Sequence, residues 1–208
     1  MLTITWNIRG LGKEEKRRKV RSVVLSQKPV VLFIQETKLG VFDNRIKKGL
    51  GGVVLTRGVG ADAVGLAGGL ITLWIEDLVT INYFISNKWC LVLAGVLNKL
   101  DKEVVFCNVY TSNLESERRE LWGFLINIQQ SFTIPWVIGG DFNTFLHAYE
   151  RRGGDFNKWS ARAFNNFNLQ AEVVDIPLSG HYNRIIILLR TKNAVNDYLR
   201  LSVASRIR

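Results

Sequence analysis

The sequence predicts an α/β fold of two packed β-sheets with helices on the outside. Three observations carry that expectation. The elements run strand, helix, strand, then a block of strands with no helix between them, then helix, strand and helix; a doubly wound parallel sheet would alternate throughout. Residues 30–34 are continuously apolar, as in a strand covered on both faces. Hydrophobic residues make up 47% of the 208, with six Trp and eleven Phe, while three Pro and the lack of a Ser/Gly linker argue for one large domain.

Residues 2–6 are β-rich and open the chain. Residues 13–27 read as an amphipathic helix, with Val20, Val23 and Val24 as the apolar stripe and basic residues opposite. Pro29 ends it, and 30–34 is the second strand. Gly49 to Gly52 lead into a short strand at 53–56, and the Gly-rich stretch 58–69 reads as a loop feeding a strand at 70–75. Strands at 79–85, 89–97 and 104–109 follow at hairpin spacing, with 98–102 as a turn. A helix spans 114–132, opening at Asn113 or Ser116 with acids in its first turn. Pro135 precedes a strand at 136–140, and a helix at 160–171 takes Ser160 as its N-cap.

The formal charge is +10, from 28 Lys and Arg against 18 acids, and it is clustered. Lys13, Lys16, Arg17, Arg18, Lys19 and Arg21 share one segment; Arg45, Lys47 and Lys48 form a second group, and Arg151-Arg152 a third. Such a field favours a polyanion, nucleic acid above all, with solvated basic faces as the alternative. Cys90 and Cys107 lie inside strand-like runs and read as reduced core thiols, with neither a disulfide framework nor zinc spacing. The early charge at Arg9 and the missing apolar h-region argue against a signal peptide, and no apolar run approaches the ~20 residues of a membrane span. The expectation is a soluble intracellular protein, not secreted, with no membrane partner.

Several strand-like runs finish on polar residues suited to phosphate chemistry. Residues 2–6 run into Asn7, 30–34 into Gln35-Glu36-Thr37, 104–109 into Tyr110, and 136–140 into Asp141-Phe142-Asn143. Open α/β sheets build sites at the carboxyl ends of their strands. A hard cation takes oxygen ligands, commonly one or two carboxylates plus waters and phosphate, and Glu36 suits that role. Asp141 follows Gly139-Gly140, where backbone can approach a ligand closely. Asn143 can offer an uncharged donor to a phosphate oxygen, Asn7 can orient a metal-bound water or a carboxylate, and Tyr110 can donate to developing charge. Taken singly, Asn7 is an ordinary turn residue, Glu36 a loop carboxylate, Tyr110 an edge-of-core tyrosine and Asp141-Phe142-Asn143 an Asx-type turn. Their joint placement is what points to one phosphodiester-cleaving site.

The segments Thr5-Trp6-Asn7-Ile8-Arg9-Gly10-Leu11, Gln35-Glu36-Thr37-Lys38, Asn108-Val109-Tyr110 and Gly140-Asp141-Phe142-Asn143 resemble the endonuclease/exonuclease/phosphatase superfamily. They are most similar to the apurinic-endonuclease-like domain of plant non-LTR (LINE-type) retrotransposons. Lys16-Arg17-Arg18, Gly68-Gly69-Leu70, Arg119-Glu120-Leu121-Trp122, Glu150-Arg151-Arg152-Gly153-Gly154 and Asp175-Ile176-Pro177-Leu178-Ser179-Gly180 agree in order. The resemblance covers residues 1–180 as one domain and leaves 181–208 as a divergent basic tail. It implies a four-layer α/β/β/α sandwich of the DNase-I type and a Mg²⁺- or Mn²⁺-dependent endonuclease, a hydrolase acting on double-stranded DNA. By resemblance Glu36 binds the metal and Asn7 supports it, Tyr110 and Asn143 contact phosphate, and Asp141 positions or activates the attacking water. A nuclear site of action and a monomer follow from the same likeness.

The tail departs from that family. An aromatic Thr-Trp motif, a Ser-Arg-Leu/Ile-Asp-Arg strand and a final Ser-Asp-His motif are expected after Gly180, and none is intact. Ser205-Arg206-Ile207 is a faint echo, with Arg208 in place of the Asp. His181 follows Pro-Leu-Ser-Gly directly, where relatives place a variable residue, and His147 reads as a surface or supporting residue. The sandwich is therefore expected to lack its last strands, since nothing in the pattern of 184–190 requires a replacement strand. Without the Asp-His pair, the expected protein is a degenerate endonuclease with little or no activity. The alternatives are a non-catalytic basic nucleic-acid-binding remnant and a phosphatase of the same superfamily.

Overall fold

Side chains alternate between the two faces of a strand, and in this chain that alternation sorts the apolar residues into three layers. The computed structural model describes residues 1–64, 67–144, 157–175 and 185–190. β1 (Thr3–Asn7) and β2 (Val31–Gln35) run parallel, with Thr3 opposite Val31 and Asn7 opposite Gln35. β3 (Arg57–Val64) and β4 (Ala67–Trp74) form an antiparallel hairpin, and β4 also pairs with β2, giving the order β1-β2-β4-β3. In the second sheet β5 (Val79–Ser86), β6 (Cys90–Leu97) and β7 (Lys102–Tyr110) form an antiparallel meander, and β8 (Trp136–Asp141) lies parallel to β7. β9 (Val174–Asp175) and β10 (Ile185–Arg190) complete the order β5-β6-β7-β8-β10-β9.

Leu32 and Ile34 of β2 join Ile4, Trp6, Ile71 and Leu73 beneath α1 (Glu14–Gln27) and α2 (Asn44–Gly51). Val31 and Phe33, on the other face of β2, meet Leu91, Leu93, Val104, Phe106 and Val137 between the sheets. The outer face of the second sheet packs Cys90, Cys107, Trp136 and Ile138 against α3 (Glu115–Gln130) and α4 (Lys158–Gln170). The result is the expected four-layer α/β/β/α sandwich. Trp122 of α3 is its aromatic centre, 4.7 Å from the Phe167 ring and 5.3 Å from that of Phe164.

Local structure departs from the sequence expectation in identifiable places. Residues 53–56 are not a strand; Asp43 caps α2 instead, accepting from the Ile46 amide at 2.7 Å, while Leu50 anchors the helix in the core. The glycines around it read as breakers, and burial of Leu50 overrides them. Residues 58–64 and 67–69 lie on strands and not in a loop: Gly58 and Gly60 sit on β3 where Leu73 and Phe42 leave no room for a Cβ. Both later helices start differently as well. α3 begins after Leu114 with no side-chain cap, and α4 is capped by Asn157, which accepts from the Ser160 amide at 3.0 Å. Ile185–Arg190 does form a strand, antiparallel to β8. His147, Glu150–Gly154, 176–181 and 205–208 lie outside the described residues.

Candidate active site

β1, β2, β7 and β8 bring Asn7, Gln35, Tyr110 and Asp141 to one end of the space between the sheets. Period-two alternation explains the face: Thr3, Thr5 and Asn7 point inward on β1, as do Phe106, Asn108 and Tyr110 on β7. The floor is a buried polar clamp joining the sheets. Gln35 Nε2 donates to Thr5 Oγ1 at 2.8 Å and to Asn108 Oδ1 at 2.7 Å. Asn108 Nδ2 in turn reaches Ile71 O at 3.0 Å, and Ile34 O and Thr72 Oγ1 at 3.3 Å. Gln35 and Asn108 were not among the expected site residues. The signal was present, since both fall on inward positions of otherwise apolar strands.

Above this floor sit the charged groups. Asp141, 3% exposed, accepts from Asn7 Nδ2 at 2.7 Å on Oδ2 and from the Asn143 amide at 3.1 Å on Oδ1. Asn7 thereby orients a carboxylate, its own Oδ1 accepting from the Arg9 amide at 3.2 Å. Asn143 donates one amide hydrogen to Thr111 O at 2.5 Å, which leaves the other for a ligand. Phe142, between them, is fully buried against Trp122 and Phe164 and pins the loop. Gly140 has φ +152°, and a Cβ there would strike Val109 O; the glycine serves the close pairing of β7 and β8, not an approach to ligand.

Glu36 lies just past β2 with φ +55°, an unusual conformation for a residue with a Cβ. Backbone bonds from Gly10 to Glu36 O (2.6 Å), Leu11 to Thr37 O (2.8 Å) and Thr37 to Gly69 O (3.0 Å) hold it there. Its carboxylate is 16% exposed and 3.3 Å from Lys38 Nζ. Burial first, then the nearby Glu36 and Asp141 charges and a hydrogen bond to Glu36, together push the Tyr110 pKa up to about 12, with Arg9 opposing. The phenol therefore keeps its proton at neutral pH and acts as a donor.

The expected basic field is partly consumed locally. Lys16 Nζ donates to the carbonyls of Ile8 (2.9 Å) and Arg9 (2.6 Å), bracing the loop after Asn7. Arg17 binds Leu11 O and Glu14, and Lys19 faces Glu15. A groove of about 260 Å³ runs from Tyr110 past Gly69, Trp89 and Asn113 to Lys88, whose ammonium is 2.9 Å from Glu117 and 4.3 Å above the Trp89 ring.

The donor set suits a hard cation. Two carboxylates, Glu36 and Asp141, both act on the Tyr110 phenol, and the other nearby groups are amides and hydroxyls. Among the described residues no cluster of three or more His, Cys, Asp or Glu is placed to hold a metal ion. A hard divalent cation that keeps most of its waters needs only one or two protein carboxylates.

The family model for the endonuclease/exonuclease/phosphatase family matches residues 4–185. The chain belongs to this family. Among solved structures, the endonuclease/exonuclease/phosphatase domain resembles an AP endonuclease from Leishmania major, with TM-score 0.69 and 16% identity over 89% of this chain and 78% of that one. It also resembles an AP endonuclease from Archaeoglobus fulgidus (TM-score 0.69, 14% identity, 91% and 86% covered) and a mannosyl-6-phosphatase from Bacteroides thetaiotaomicron (TM-score 0.62, 14% identity, 91% and 85% covered). Identities this low show the shared DNase-I-like fold alone. Among curated proteins, none matches the chain by sequence.

Proposed function

We propose that this domain is a divalent-metal-dependent phosphodiesterase, a DNA endonuclease of the plant non-LTR retrotransposon type, with double-stranded DNA as its partner and a nuclear site of action. The observation that supports it is the convergence of Asn7, Glu36, Tyr110, Asp141 and Asn143 at one end of the inter-sheet space. Glu36, flanked by Asn7, would hold Mg²⁺ or Mn²⁺, which when bound supplies Lewis-acid polarisation of a phosphoryl oxygen. Asp141, its carboxylate fixed by Asn7 and the Asn143 amide, positions a water for in-line attack and takes up its proton. Asn143, through its second amide hydrogen, and Tyr110, as a neutral phenol, donate to the phosphate oxygens where charge develops. The groove beside Tyr110 offers the flanking strand a path. We set the expected turnover low, as for a degenerate enzyme, because none of the motifs that the family resemblance calls for after Gly180 is intact in residues 181–208.

Supercoiled-plasmid nicking in Mg²⁺, beside EDTA and Glu36→Ala controls, tests the proposal. Slow nicking abolished by both controls is the expected result, with a loss of ~10²–10³ in rate for the variant. Salt-steep DNA binding without nicking would leave a basic nucleic-acid-binding module. Turnover of small phosphomonoesters with none on DNA would point to a phosphatase.

A further inference from the structure

We propose that Arg118 is a positioning residue for this site, its buried guanidinium locking the segment after Tyr110 to the segment that carries Asp141 and Asn143. The inference deepens the phosphodiesterase reading and rests on it for its catalytic consequence. Its geometric content stands independently.

Arg118 occupies the inward stripe of α3 with Leu121, Trp122, Leu125 and Gln129, a place where helical spacing calls for an apolar residue. It is 6% exposed. Arginine is rarely so buried without an ionic partner; among the described residues the Glu115 charge acts on it but forms no salt bridge with it. Its donors go instead to Asn113 O at 2.7 Å, Ser112 O at 3.2 Å and Ser160 Oγ at 3.1 Å. Ser160 Oγ is 3.0 Å from Thr144 Oγ1. Thr111, next to Ser112, accepts from Asn143 Nδ2 at 2.5 Å and donates its amide to Asp141 O at 3.0 Å.

These contacts close a ring from Arg118 through Ser112, Thr111, Asn143, Thr144 and Ser160 back to Arg118. One side of the ring continues directly from Tyr110 and the other from Asp141. The guanidinium thus fixes the spacing between the phosphate-facing groups of β7 and those of the loop after β8. A planar fork that stays charged holds acceptors in divergent directions, which a lysine ammonium on a flexible stem does not. Misplacing catalytic groups by about 1 Å can cost ~10²-fold in rate. The cost of burying the charge has a functional counterpart in that rigidity.

The test uses the full ¹⁵N-labelled chain with Arg118→Met, Arg118→Lys and Ser160→Ala. Arg118→Met is expected to move the Asn143 side-chain amide resonances and to speed exchange of the Thr111 amide at least ~10-fold by local opening. The Gln35 and Asn108 side-chain amides should stay in place. Arg118→Lys should restore neither, and Ser160→Ala should act in the same direction but less. In plasmid nicking, kcat should fall ~10–100-fold with KM within about twofold. Unchanged Asn143 and Thr111 signals in a folded variant, or a lower Tm with kcat intact, would overturn the proposal. Shifted signals in a protein whose wild type never turns over would retain Arg118 as the tie and sink the phosphodiesterase reading instead. Should Arg118→Met fail to fold, Arg118→Lys and Ser160→Ala decide the matter by the same readouts.

Discussion

Thr5, Gln35, Thr72 and Asn108 form a polar cluster that is wholly buried, while Asn7, Glu36 and Tyr110, one or two residues further along the same strands, are only partly so. The dry cluster uses hydroxyls and carboxamides, neutral groups whose amide donors are satisfied inside the protein, while Gln35 Oε1 is buried without a hydrogen-bond partner among the described residues. The rim carries the carboxylates: Glu36 keeps contact with water, while Asp141 is buried and is compensated by hydrogen bonds from Asn7 and the Asn143 amide. A carboxylate in the position of Gln35 would have to leave water altogether, at a cost of several kcal/mol. One step along the strand, Glu36 keeps a solvent-facing side and a cationic neighbour in Lys38. Stability and chemistry are thus adjacent but separable, the first resting on the clamp and the second on the rim.

Substituting the clamp should break that separation most visibly. Asn108→Leu removes four hydrogen bonds between the sheets and orphans buried acceptors, so it should cost about 3 kcal/mol in urea unfolding. Adding Gln35→Leu should recover part of that loss, because replacing both partners leaves fewer polar atoms unpaired. A cost below about 0.5 kcal/mol for Asn108→Leu would mean that the clamp is incidental.

The rim should respond to pH and leave the clamp undisturbed. In metal-free protein the raised Tyr110 pKa means that the unfolded chain ionises near pH 10 and the folded one near pH 12. The stabilisation is therefore whole below pH 10 and lost as pH rises toward about 12. Urea midpoints at pH 9 and pH 11.5 should differ more in wild type than in Tyr110→Phe, and equal differences would refute the assignment. Least affected should be the groove, where Lys88→Ala removes an exposed ion pair and a cation–π contact. That change is expected to cost at most about 1 kcal/mol, and less at high salt.

How far the sequence disclosed all this varies with the element. Residues 2–6, 30–34, 104–109 and 136–140 were legible as strands because continuous apolar runs leave few other homes for such residues. α2 and β3 were not, because glycine weakens both local patterns. At Gly58 and Gly60 the glycines are required by Leu73 and Phe42, neighbours supplied by other elements. The basic segment at 13–21 read as a field for a polyanion. The structure assigns Lys16 and Arg17 of that segment to carbonyls of the loop just before it, at Ile8, Arg9 and Leu11, a use that charge counting does not reveal.

By itself, then, the sequence determined the layer architecture and the chemical types present at four strand ends, since apolar periodicity and residue identity are local properties of the chain. Tertiary structure alone decided that Asn7 serves Asp141, that Gln35 and Asn108 bind the sheets together, and that Arg118 lies buried between two segments of the site. Each of those contacts joins residues far apart along the chain, and its partner is set by sheet register and strand face. No local pattern encodes which distant group will meet a given amide or guanidinium once the sheets have packed.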